Sequence, residues 1–248
     1  MNSGRSQAYE ALIDVSALDL GTVEKRDGFI RIGANLRFQD VFEHPLCPEL
    51  LRAGFKQIVN RNVRNMATVA GSIAMKSPCS NVIAALMTLH AEVETADANG
   101  RRERVSLESF VNTSSEGLLI TAVYIPEEWT GLHCSTRRYS RSQNDISIVL
   151  ADVALEAADG KITRVSAVAG GVAPRVVRLV SLEAALLGQA LPDAEAVGDL
   201  VKKDIAAISD FRGSAEFKAY MAGQLIDWCL HMAVDGAECC ACGCEHKG

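Results

Sequence analysis

Apolar positions along the chain fall into short strand-like runs and longer helical ones. Ala11–Val15 and Phe29–Ala34 are rich in Ile, Val and Leu or alternate in polarity, which predicts two strands, with the polar Glu24–Gly28 (EKRDG) as the turn between them. Phe38–Ile58 holds two helical stretches split by HPLCP, and Pro48 suits the first turn of the second. Residues 61–81, RNVRNMATVAGSIAMKSPCSN, lack a regular period and are full of small side chains. Ser80 is placed to cap a buried helix running to about Leu89, followed by a strand over Ala91–Thr95 and a turn at Asn99-Gly100. Leu118–Ile125 is an apolar strand that stops at Pro126.

PEEWTGLH (126–133) carries a proline, two acids and a glycine between strand-like runs and reads as a domain boundary. Beyond it, Ile146–Ala157 and Lys161–Val168 flank Asp159-Gly160, a strong hairpin signal. Helices are expected at Leu182–Leu187, ending on Gly188, at Asp193–Ala206 and at Ser214–Val234, which opens on a capping serine. The expected division is 1–128, 129–235 and a tail, 236–248.

With 48% hydrophobic and 23% charged residues in 248 positions, the composition excludes a disordered or collagen-like chain. No apolar run reaches the roughly 18 residues of a membrane span, and MNSGRSQAYE lacks a secretion signal's apolar core. A soluble, cytoplasmic protein without a membrane partner is expected. Lys and Arg number 25 against 31 Asp and Glu, a net of −6, so nucleic acid is not an expected partner. A small anion would have to be held locally, and Thr68–Ser72 is a run of small residues whose backbone amides suit that task, or else a tight turn before the buried helix. Cys47, Cys79, Cys134 and Cys229 are scattered and read as reduced thiols, whereas Cys239, Cys240, Cys242 and Cys244 crowd the C-terminus. Those four, with His246, could bind zinc, copper(I) or an iron–sulfur cluster, or form a mobile reactive tail.

Several segments together change the picture: LIDVSAL, IRIGAN, VRNMATVAGSIAMKSPCSN, ITAVYIP, TRRYSRSQNDISIV, AGGVAPRVVR and SDFRGSAEFKAY. In that order they resemble the FAD-binding (medium) subunit of the molybdenum hydroxylases, the group of xanthine dehydrogenase and carbon monoxide dehydrogenase, from about Leu12 to Val234. The resemblance implies an α+β fold: a two-part FAD-binding domain, then a smaller domain with a three-stranded antiparallel sheet and a helical bundle. It implies an oxidoreductase subunit that carries FAD and passes electrons from the clusters of an iron–sulfur subunit, fed by a molybdopterin-binding subunit, to NAD or another acceptor. TRRYSRSQND resembles the purine-associated members, which implies a xanthine dehydrogenase-like complex. The alternative is a flavin-less scaffold for the same kind of complex.

Residue by residue, the resemblance implies that Thr68, Val69, Ala70, Gly71 and Ser72 form the second diphosphate-binding loop. Asn81 stands where an aspartate contacts the ribityl chain, Ile120 where a leucine's backbone meets the flavin, Arg137 where a lysine lies near the ring, and Ile58 where an apolar residue packs nearby. On the residues alone, Asn81 reads as a helix cap, Ile58 and Ile120 as core, and Arg137 as a solvated strand charge. Ala70 replaces a usual glycine, which matters only if that position needs a positive φ. The family's first phosphate loop would align ahead of Met1, so the reading expects a start set at an internal methionine or a truncated form.

Overall fold

The computed structural model describes residues 13–58 and 60–236. Strand β1 (Val23–Arg26) and β2 (Phe29–Gly33) form a hairpin around Asp27-Gly28, both with positive φ. Three of the five residues read as a turn, Glu24–Arg26, therefore belong to β1: this edge strand is held by backbone pairing, and its exposed Glu-Lys-Arg shows no apolar alternation to betray it. No strand forms over residues 13–15 of the expected first strand, and residues 11 and 12 lie outside the described residues.

Helices α1 (Phe38–Glu43) and α2 (Glu49–Lys56) follow, with Pro48 at the N-cap of α2. The aperiodic stretch is not irregular but folds as two short capped helices. In α3 (Arg61–Met66) the Asn60 side chain accepts from the Asn62 amide, and in α4 (Val69–Met75) Thr68 Oγ1 accepts from the Gly71 amide. Helix α5 (Asn81–Thr88) starts where expected: Ser80 Oγ accepts from the Ile83 amide, and every residue of the helix is buried. Strands β3 (Glu92–Ala96) and β4 (Arg102–Ser106), helix α6 (Leu107–Asn112) and strand β5 (Leu119–Pro126) complete an antiparallel sheet ordered β1-β2-β5-β3-β4.

A single 3₁₀ turn (Glu127–Trp129) leads to the second sheet. Its long strands are β6 (His133–Tyr139), β7 (Val149–Ala158) and β8 (Lys161–Gly170), with β7 and β8 joined through Asp159-Gly160 as the sequence predicts. A two-residue strand, β9 (Val177–Arg178), pairs with β8, so the three expected strands gain a short fourth. Helices α7 (Val180–Leu186), α8 (Ala194–Asp204) and α9 (Ala215–Val234) cover one face of this sheet.

The other face of the second sheet is not free. Leu150 and Ala154 of β7, Val168 of β8 and Val176 are buried in the same cluster as Leu51 and Phe55 of α2 and Val82 and Leu86 of α5. One core thus runs from the first sheet through α5 to the second. Residues 129–235 expressed alone should expose those four side chains and bind a hydrophobic dye such as ANS. A sharply melting, dye-free fragment would show that this packing is dispensable.

Candidate functional site

Thr68–Ser72 begins α4 and is drawn in against the end of β2. The Val69 amide donates to the Leu36 carbonyl (3.1 Å), Ala70 to Ala34 (3.3 Å), Gly71 to Thr68 Oγ1 (3.1 Å) and Ser72 to the Thr68 carbonyl (3.1 Å). The amides expected to cradle an anion are therefore engaged within the chain, and Val69 is fully buried as core. Ala70 lies inside α4 and has no positive φ, so its Cβ is unstrained and alanine suits the helix better than glycine.

The concavity beside this run lies between the first turn of α5 and the segment following β6. It measures about 320 Å³, at the lower end of ligand clefts. Three of the expected site residues line it: Ile58, Ser72 and Asn81. Ser72 Oγ and Ser80 Oγ stand 3.2 Å apart, and Ser147 Oγ donates to Asn81 Oδ1 (3.1 Å), linking the floor on α5 to the strand side. Ser77, Gln57, Asn60, Gln143 and Asn144 add hydroxyl and amide groups, while Val63, Val82 and Ile146 supply apolar wall. Thr68 and Gly71 sit at the mouth of α4 and do not line the cleft, and Ile120 is buried in β5, paired with Thr95 of β3.

Arg137 faces away from this cleft. Successive strand residues point to opposite faces, and its guanidinium lies 4.5 Å over the Trp228 ring of α9. Its neighbour Arg138 lines the cleft instead, donating from Nη1 to the Asp145 carbonyl (2.7 Å) and from Nη2 to the Gln143 carbonyl. The cleft's cation thus ties down the 143–145 loop that roofs it.

Sequence reasoning also missed a buried polar chain behind the wall. Gln57 Nε2 donates to Thr136 Oγ1 (2.9 Å), and Thr136 in turn donates to Asp152 Oδ1 of β7. Asp152 is 1% exposed, and burial pushes its carboxyl up to about 7 against the opposing Thr136 hydrogen bond. Gln57 Oε1 and Asp152 Oδ2 have no hydrogen-bond partner among the described residues. Elsewhere on the rim, Arg212 Nη1 lies 3.2 Å from Cys79 Sγ, and burial raises this thiol despite the guanidinium.

The donor set fits part of the flavin dinucleotide that the resemblance implies. Serine hydroxyls and side-chain amides both donate and accept, as a polyol such as a ribityl chain requires, and Ile58 offers an apolar contact. Among the described residues no group of three His, Cys, Asp or Glu side chains could hold a metal ion. Cys239, Cys240, Cys242 and Cys244 lie outside the described residues.

Comparison with known proteins identifies the family. Residues 1–128 match the FAD binding domain in molybdopterin dehydrogenase, and residues 135–233 match the CO dehydrogenase flavoprotein C-terminal domain. The chain is 32% identical over 215 residues to the uncharacterised Escherichia coli K12 protein YgfM, covering 86% of this chain and 76% of that one. It is 27% identical over 224 residues to the nicotine 6-hydroxylase medium subunit of Paenarthrobacter nicotinovorans, covering 84% and 78%. Reconstituted CO dehydrogenase from Oligotropha carboxidovorans contains a chain of the same fold, with TM-score 0.81 and 26% identity over 88% of this chain and 80% of that one. Family matches that together span most of the chain, and a relative above 30% identity, place this protein among the FAD-binding subunits of the molybdenum hydroxylases.

Proposed function

We propose that the chain holds FAD in the cleft between α5 and the Arg138–Ser147 segment, as the electron-transfer subunit of a molybdenum hydroxylase. Electrons would arrive from an iron–sulfur partner subunit, itself served by a molybdopterin-binding subunit, and leave to NAD or another acceptor. When bound, an isoalloxazine can take electrons singly and release them as a pair. The observation that carries this reading is the hydroxyl- and amide-lined cleft bridged by Asn81 and Ser147. In it, Asn81 and Ser147 present hydrogen-bonding groups to a polyol, Ile58 shields one side from water, and Arg138 fixes the roof.

The test is the flavin content of the purified full chain. Bound FAD near one per chain, falling at least tenfold in Asn81→Leu, is the expected result. A colourless protein that does not take up added FAD would overturn the reading. The flavin-less scaffold is the second reading, favoured by the engaged amides of Val69–Ser72.

The substrate we assign to the complex is a purine, on the TRRYSRSQND segment alone. Relatives are named for nicotine and for carbon monoxide, so subunits of this family occur in enzymes of different substrates. A cytoplasmic location is part of the same proposal; no helix among the described residues is long and apolar enough to cross a membrane. So is the division into 1–128, 129–235 and a tail. A metal at the tail cysteines forms no part of it.

A further inference from the structure

Beside the cleft mouth, large apolar side chains stand in solvent on one continuous surface. Tyr139 meets Phe217 edge-on with ring centroids 5.5 Å apart, and Phe217 lies against Gly213, next to Phe211. Tyr220 follows Phe217 by about one turn of α9, and Ile208 precedes Phe211 in the same loop. Phe211 is 74% exposed, and Ile208 and Tyr220 are each at least 60% exposed. Exposed apolar surface of this kind, contiguous rather than scattered, marks an interaction site.

The Phe211 turn is also held rigid. Asp210 and Gly213 exchange backbone hydrogen bonds (3.1 and 3.2 Å), and the Arg212 amide donates to Asp210 Oδ1 (2.9 Å). Lys218, buried in α9, reaches both the Ile208 carbonyl (2.8 Å) and Asp210 Oδ1 (2.9 Å). Arg141 Nη2 donates to the Phe211 carbonyl (2.5 Å). The guanidinium groups of Arg141 and Arg212 lie 5.8 Å and 5.2 Å from the Phe211 ring. An aromatic anchor fixed in advance loses little entropy on binding, and aromatic and arginine side chains are the residues enriched among interface hot spots.

We propose that this aromatic–arginine face docks the acidic surface of the cluster-bearing partner subunit. The proposal rests on the function proposed above and adds where that partner sits. Arg141 and Arg212 converge on the Phe211 ring, and Asp210, the acid of the same turn, is neutralised by Lys218 (2.9 Å), so the ring stands in cationic surroundings within a molecule of net charge −6 and its complement is an acidic surface. The face is continuous with the cleft: Arg212 touches Cys79 on its wall, and Arg141 begins the loop whose Gln143–Ile146 roof it. A partner seated here stands next to the cofactor, as short-range electron transfer requires.

The experiment tags this chain in its native cell, purifies the assembled complex and measures iron and flavin per chain. Phe211→Ser with Tyr220→Ser should weaken docking about thirtyfold, so that iron per chain falls at least tenfold while flavin per chain and the melting temperature hold. Arg141→Glu, an exposed charge reversal, should lower iron in the same direction. Leu187→Ser, exposed at the end of α7, should leave iron unchanged. Iron retained in both the double variant and Arg141→Glu, with flavin present, overturns the docking face and leaves the proposed function standing. A wild-type chain with flavin but no iron overturns both the face and the partner. Conversion of a self-associated chain to monomer, with iron unchanged, assigns the face to a second copy and overturns the proposal.

Discussion

Gly171→Ala is expected to destabilise the protein by about 2–5 kcal/mol, the sum of a left-handed penalty and of overpacking. Gly171 has φ +79°, and a Cβ there would stand 2.1 Å from the Ile148 carbonyl oxygen, a backbone atom with no rotamer to yield. Its amide donates to the Pro78 carbonyl (2.7 Å), so the substitution also releases the Ser77–Ser80 loop that shapes the cleft wall and caps α5. Flavin retention should fall with stability. Gly188→Ala is the control: φ is +77°, yet nothing lies within 4 Å, so its cost should stay near the left-handed penalty, about 1–2 kcal/mol. Urea denaturation of the two variants measures the difference, and equal losses would refute the clash.

The second large effect is a pH dependence centred on Asp152. In the unfolded chain this carboxyl ionises near 3.8, and in the fold burial holds it protonated to about 7. Between those values the folded state binds a proton that the unfolded state has lost, so stability falls as pH rises through the window and levels off above it. At about 1.4 kcal/mol per pH unit the fall amounts to roughly 4 kcal/mol. The difference between wild type and Asp152→Asn isolates it, because other carboxylates are common to both. Across pH 4.5, 6 and 7.5 wild type should lose stability relative to Asp152→Asn, which keeps a neutral side chain throughout. Parallel curves would mean that Asp152 is ionised, or hydrated, in the fold.

Local signals along the chain specify the parts of the fold that depend on near neighbours. Asp159-Gly160 specifies its own hairpin, Ser80 its own helix start, and the apolar residues after Ser80 a helix buried on every side. Strand β1 escaped because its stability comes from β2 and not from its own Val-Glu-Lys-Arg. The resemblance led to Ile58, Ser72 and Asn81, which do meet in one cleft, although they are remote in sequence. It pointed also to Arg137, whereas strand parity turns the adjacent Arg138 toward this cleft. It could not show that the Val69 and Ala70 amides are taken by carbonyls at Leu36 and Ala34, because only the tertiary fold sets those partners side by side. Asp152 is the single acid in the apolar run from Ile148 to Leu155, an oddity visible in the sequence. Its meaning emerges only when the fold lines up Thr136 and Gln57 against the carboxyl.

Helix α5, sealed between both sheets, has a consequence for how a coenzyme is exchanged. Its first turn is the cleft's base, and a helix with no exposed residue cannot swing aside without dissolving the shared interior. The two halves therefore cannot part like a hinged jaw to admit a ligand. Entry is left to the solvent-facing ceiling at Gln143–Ile146, a few exposed residues pinned chiefly by Arg138. With the coenzyme and the partner placed as proposed, a subunit covering that ceiling would close the way in, so loading would precede assembly.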